Sequence, residues 1–153
     1  MDAEKLINYL RLHTTKIVET SLGTVISLRG DIFYVAIKSG IDLNVEEGIV
    51  FRNTILSEYE KNNFSLICDT SNFNGEVSIE IIKHFMNDEE FNNKCSFQAI
   101  IMNHMAYELM GNFYLKFLQK SVAARLFRNE DDALKWVLYN FKNPLNSQNM
   151  ELG

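Results

Sequence analysis

An α/β domain with a mixed, mostly parallel sheet of four or five strands covered by helices is the fold class this chain predicts. Three observations predict it. A Gly-Asp turn between two β-branched and aromatic runs gives a β-hairpin early in the chain. Short apolar runs then alternate with amphipathic helical stretches to about residue 141, and such βα units build a parallel sheet through right-handed crossovers. Two of the helical stretches open on an Asn placed to cap them.

The elements follow in order. Residues 1–12 read as a helical turn with Leu6, Ile7, Leu10 and Leu12 available to dock, and Lys16–Thr20 is a candidate extra strand. Thr24–Leu28 and Ile32–Ile37 flank Arg29-Gly30-Asp31 as the hairpin. The Arg-Gly-Asp triplet matches an adhesion motif, but a tight turn explains the same residues. Asn44 with Glu47 three residues later resembles a capping box. Val45, Ile49, Phe51, Ile55, Leu56 and Tyr59 then recur at helical spacing to about Asn62.

Phe64–Cys68 is a continuous apolar run suited to a central parallel strand. It ends in Asp69-Thr70-Ser71-Asn72-Phe73-Asn74-Gly75, a loop rich in turn residues. A helix is expected from Glu76 or Ser78, carrying Ile79, Ile82, Phe85 and Met86 inward. Phe97–Met102 is the next strand, and a helix at about 105–118 follows. Ala124–Phe127 is a short last strand. Asn129 caps a helix whose first turn, Glu130-Asp131-Asp132, suits the positive end of the helix dipole. Its inner face is Ala133, Leu134, Trp136, Val137 and Phe141. Residues 1–21 thus read as an N-terminal extension, 22–142 as one domain, and 143–153 as a mobile Asn/Ser/Gln-rich tail.

Composition bounds the function. At 153 residues the chain is long enough to bury roughly two-thirds of its unfolded surface, and 11 Phe and 6 Tyr promise an aromatic core. A formal net charge of -5 without a basic cluster argues against nucleic acid or an anionic membrane as partner. The start is charged and lacks the apolar stretch of a signal peptide, and no apolar run approaches the ~20 residues of a membrane span. A soluble, cytoplasmic protein is expected. Cys68 and Cys95 are too few for a disulfide scaffold and poorly spaced for zinc, and both read as buried, reduced thiols. No metal, cofactor or phosphate-loop signature stands out.

Three stretches carry a family likeness: Leu66-Ile67-Cys68-Asp69-Thr70-Ser71; Ala99–Asn103 leading to Gly111-Asn112-Phe113-Tyr114-Leu115; and Ala124–Trp136 with its strand, acidic cap and Ala-Leu-x-Trp helix. Together with the element order they resemble the STAS superfamily, and more narrowly the small bacterial STAS-like proteins with a SpoIIAA-like fold, also compared with CRAL-TRIO lipid carriers. The resemblance covers roughly residues 22–141. It implies a non-catalytic regulatory or protein-interaction module, with a protein partner and no cofactor.

STAS regulators carry an Asp-x-Ser-x-apolar-Asp-Ser-Ser/Thr-Gly pattern after the third strand, and the second hydroxyl of the pair is phosphorylated. Asp69-Thr70-Ser71-Asn72-Phe73 matches its first half. In the second half Asn74, Gly75 and Glu76 replace Asp, hydroxyl and phosphoacceptor, and Ser78 fills the acceptor place only with a two-residue insertion. The departure argues for a docking loop (Asp69, Ser71, Glu76, Ser78) with a fixed charge at Glu76 in place of a phosphoswitch.

Two other readings stay open. Met102, Met105, Met110, Phe113, Tyr114 and Phe117 form an apolar stripe, and Met102, Met110, Phe113 and Phe117 could line a pocket for a lipid or other small apolar ligand. Asp69 ends a central strand, where open α/β sheets place their sites, and Asn103 and His104 end the next one, so an Asp69/His104 pair could do acid–base work. His84 and Asp88 stand at i,i+4 spacing. Homodimerisation through an edge strand is also left open.

Overall fold

In a computed structural model the described residues are 8, 12–28, 30–59, 62–75, 78–102 and 123–140. Expectations for the opening helical turn, the 105–118 helix, Phe141 and the tail fall outside them.

The chain forms β1 (Thr14–Glu19), β2 (Gly23–Leu28), β3 (Ile32–Ile37), α1 (Val45–Glu58), β4 (Phe64–Asp69), α2 (Ile79–Met86), α3 (Glu89–Lys94), β5 (Cys95–Ile101), β6 (Ala123–Phe127) and α4 (Glu130–Asn140). All six strands join one sheet in the order β1-β2-β3-β4-β5-β6. The first two pairings are antiparallel and the remaining three parallel. Among the described residues the sheet therefore has six strands, the four or five expected plus the candidate extra strand at the start. Thr14–Glu19, although charged and mostly exposed, pairs along β2 as an edge strand.

Local chemistry sets most of the boundaries. Leu28 pairs with Ile32 across the hairpin turn, where Gly30 takes φ 78, a conformation that suits glycine. Asp31 in this turn is 0% exposed, so the Arg-Gly-Asp triplet is not presented for adhesion. Asn44 caps α1 by accepting from the Glu47 N–H at 3.2 Å. Asn129 caps α4 by accepting from the Asp132 N–H at 2.9 Å. Asp88 starts a helix not expected from the sequence, α3, by accepting from the Phe91 N–H at 3.2 Å.

Strand order decides which face each helix covers. From β3 to β6 every step moves the same way across the sheet, and right-handed crossovers then put successive connecting helices on one face. On this back face Phe51 and Ile55 of α1 and Phe91 of α3 pack with Phe33, Val35, Phe64 and Leu66. Phe64 is its centre, with ring centroids of Phe33, Tyr59 and Phe91 at 5.7, 5.5 and 5.2 Å. Helix α2 lies against α1 and α3, with Ile81 buried. The side chains of Ile79, Ile82, Phe85 and Met86 lie outside the described set.

The front face is covered by α4. Ala133, Leu134 and Val137 of that helix, all 0% exposed, close over Leu28, Ile32, Tyr34, Ile67, Ala99, Ile101 and Phe127. Trp136 is half-buried and meets Phe97 edge-on at 5.6 Å and Phe127 at 5.6 Å. Burying a Leu or Val side chain stabilises by roughly 1.5–3 kcal/mol, so these few residues supply much of what holds α4 down.

Candidate functional site

The carboxyl ends of β4, β5 and β6 and the start of α4 meet at Asp69. Alternation in β4 sends Phe64, Leu66 and Cys68 to the back core and Ile67 and Asp69 to the front, so the strand ends with a carboxylate on the α4 side. Asp69 is only 7% exposed. Both of its oxygens have donors. Tyr34 Oη donates to Oδ2 at 2.6 Å, Ser71 Oγ donates to Oδ1 at 2.6 Å, and the Ser71 N–H donates to Oδ1 at 3.0 Å.

Register explains the reach of Tyr34. Ala36 stands opposite Asp69 and Tyr34 opposite Ile67, so the tyrosine ring runs along the front face and delivers its hydroxyl to the strand end. Its pKa is pushed far above the ordinary tyrosine range by burial first, then by the hydrogen bond and charge of Asp69, with Glu130 adding. Glu130, the first residue of α4, lies close enough to Asp69 and Tyr34 to feel both electrostatically. Although it is largely exposed, its pKa is raised, first by desolvation and then by the charge of Asp69; the Tyr34 hydroxyl works in the opposite sense.

The loop after Asp69 is tied down along its length. Thr70 donates its N–H and its hydroxyl to the Ile101 carbonyl at 2.8 and 2.7 Å, fixing the loop to the end of β5. Phe73 packs into the back core. Asn74 Oδ1 accepts from the Gly40 N–H at 3.0 Å. Gly75 runs so close to the segment after β3 that a Cβ there would lie 1.8 Å from the Ile41 carbonyl oxygen. Ser78 donates its N–H to Leu43 O at 3.2 Å, and its hydroxyl caps α2 by accepting from the Ile81 N–H at 3.1 Å. Asn72 and Asn74 are left exposed.

Of the residues singled out in the sequence, Asp69 and Ser71 are thus in direct contact, while Ser78 stands at the helix start. Glu76 lies outside the described residues, as do His104 and Asn103, and with them the Asp69/His104 pair. The apolar pocket set is likewise divided. Met102 is half-buried against Ile100, Ala124 and Leu126, and Met110, Phe113 and Phe117 lie outside. Tyr34 and Glu130 are the members that sequence reading missed. The available signals were a tyrosine inside an aliphatic strand and an acid at a helix start, and each has an ordinary structural explanation.

Elsewhere, Cys68 and Cys95 are free thiols, each pushed up to about 12 chiefly by burial. Among the described residues no group of three or more His, Cys, Asp or Glu could hold a metal ion. No helix among them is long and apolar enough to cross a membrane.

Comparison with family models matches residues 26–142 to a domain of unknown function, DUF7793. The chain belongs to the DUF7793 family. The match takes in Tyr34, Asp69, Ser71 and Glu130, and so the whole of the polar cluster. No curated protein matches this DUF7793 chain. Among solved structures it is similar to an uncharacterised protein of the DUF3478 family from Shewanella loihica PV-4 with a SpoIIAA-like fold. The two are 14% identical, the match covers 79% of this chain and 90% of that one, and the TM-score is 0.49. The SpoIIAA-like fold expected from the sequence is the fold named for that neighbour.

Proposed function

We propose that this chain is a non-catalytic interaction module of STAS-like type, working in the cytoplasm and docking a protein partner through the loop from Asp69 to Ser78 and the helix after it. One observation carries the reading: Asp69, the best placed acid in the sequence, has both carboxylate oxygens committed to Tyr34 and Ser71. A general base must be within reach of a substrate proton, and Asp69 is buried. Its bonds to Tyr34 and Ser71 tie the loop to the sheet instead. A loop fixed in advance loses little conformational entropy on binding, which favours recognition of a partner. The hydroxyls of Thr70 and Ser71 are likewise spent inside the molecule, which supports a docking surface that is not switched by phosphate. Two free thiols suit a reducing compartment.

The test uses the full chain as bait in native extract, with cross-links mapped by mass spectrometry. Wild type should capture a defined partner whose cross-links fall within 69–78, and Asn72→Arg, at an exposed position, should lose it with an unchanged melting profile. The same set of captured proteins from both baits would sink the reading, as would stoichiometric phosphate on Ser71 or Ser78.

A further inference from the structure

We propose that Asn74 and Gly75 form a self-modifying site: the pair loses the Asn74 side-chain amide as ammonia, and the aspartate or isoaspartate that replaces it frees the 69–78 loop from the segment after β3. The conversion is read by mass and stands or falls independently of whether that loop docks a partner.

Of all the asparagines in the sequence, only Asn74 is followed by glycine. With no side chain to shield it, a glycine nitrogen can approach the Cγ of the residue before it. The structure supplies the other conditions. Asn74 is exposed, so water reaches its side chain. Among the described residues nothing accepts a hydrogen bond from the Gly75 N–H, so the attacking nitrogen is not tied up. The Gly40 N–H donates to Asn74 Oδ1 at 3.0 Å, on the oxygen that gathers negative charge when the carbonyl carbon is attacked. Gly40 holds φ 79, a left-handed conformation open to glycine, so this donor is fixed by the turn that carries it.

In the reaction the Gly75 nitrogen gives its proton to solvent base and bonds to Asn74 Cγ. The Cγ–Nδ2 bond breaks, and Nδ2 leaves as ammonia with a proton taken from water. Water then opens the cyclic imide. Opening at Cγ gives aspartate, and opening at the main-chain carbonyl carbon of residue 74 gives isoaspartate. Both products bring a new carboxylate towards that of Asp42, which already lies beside Gly75, and like charges repel. Isoaspartate also inserts a methylene into the main chain. Gly75 has no room for it, since even a Cβ there would lie 1.8 Å from the Ile41 carbonyl oxygen. The converted loop therefore gives up its seat against residues 40–43.

The experiment incubates the full chain at pH 8, folded and in urea, and maps its peptides by mass spectrometry after digestion in mild acid. Asn74 should convert before every other asparagine, and no more slowly in the folded protein than in urea. Hydrogen exchange over 40–43 and 70–75 should be faster in the converted fraction than in fresh protein. Asn74→Gln, whose longer side chain would have to close a larger and far slower ring, should keep its amide and its slow exchange through the same incubation. Slower conversion in the folded protein than in urea would overturn the site. So would earlier conversion at another asparagine, or exchange over 40–43 that conversion leaves unchanged.

Discussion

Tyr34→Phe is the substitution that isolates the polar cluster from the packing around it. The ring of Tyr34 is part of the front core and 6% exposed, so phenylalanine keeps the apolar contacts and removes one hydroxyl. What is lost is a 2.6 Å bond to the carboxylate of Asp69, a residue 7% exposed. A hydrogen bond to a charged group contributes about 1.5–3 kcal/mol, and the upper part of that range applies because Asp69 cannot turn to water. For a chain of 153 residues each kcal/mol moves the melting midpoint by about 2–4 °C, so the upper part of the range, about 2–3 kcal/mol, predicts a fall of roughly 4–12 °C. Urea unfolding at pH 7 of wild type, Tyr34→Phe, Asp69→Asn and the double variant closes the cycle. The two changes should overlap by about 1 kcal/mol or more, since the bond can be lost only once. A Tyr34→Phe protein within about 0.5 kcal/mol of wild type, or strict additivity in the cycle, would refute the cluster as a lock on the loop.

Gly75→Ala should cost about 1–3 kcal/mol, because its Cβ would fall 1.8 Å from a backbone oxygen that has no side-chain freedom to give way; a neutral result in chemical unfolding would contradict the close approach. Arg52 binds Asp88 through Nε at 2.5 Å and Nη2 at 3.2 Å, and reaches Glu90 at 2.8 Å, joining α1 to α3. Arg52→Ala should therefore cost about 1–3 kcal/mol, read from the urea midpoint, since it leaves the largely buried Asp88 carboxylate without its cation. Burial alone would raise the Asp88 pKa, but Arg52 and the Phe91 N–H hold it below the ordinary range. Its contribution is present above the ordinary carboxylate pKa and fades as the pH falls through the lower folded value, so wild type should weaken in acid more steeply than Arg52→Ala. Cys68 and Cys95, pushed up to about 12, should stay unlabelled by a thiol reagent in the native protein at pH 8 and react together on unfolding; the raised values also stabilise the fold below the ordinary thiol pKa and lose that effect as the pH approaches 12.

The legible parts of the fold are those written in local chemistry. Ile32–Ile37 was bounded by its turn, α1 and α4 by Asn44 and Asn129, and β4 by the change from apolar to polar at Asp69. The candidate strand Lys16–Thr20 forms as β1, two residues earlier at its start, because TTKIVE has little apolar alternation and its bounds are set by ladder bonds to β2. Helix α3 has only six residues; Asp88 at its start serves both as cap and as partner of Arg52, 36 positions earlier. The candidate site divides in the same way. Asp69 and Ser71 are two residues apart and could be paired from turn chemistry. Tyr34 and Glu130 join them through strand register and the return of the last helix, which are tertiary facts.

The strictly sequential strand order also bears on how the chain is made. Every strand lies beside the one synthesised just before it, so a nascent chain can add to a growing sheet in the order it leaves the ribosome. The front face follows another timetable. Leu28, Ile32, Ile67, Ala99, Ile101 and Phe127 must wait for Ala133, Leu134 and Val137, which emerge after all six strands. A chain that has emerged as far as Phe127 but not Val137 would hold a sheet whose front apolar side is bare, the interval in which a chaperone has most to protect.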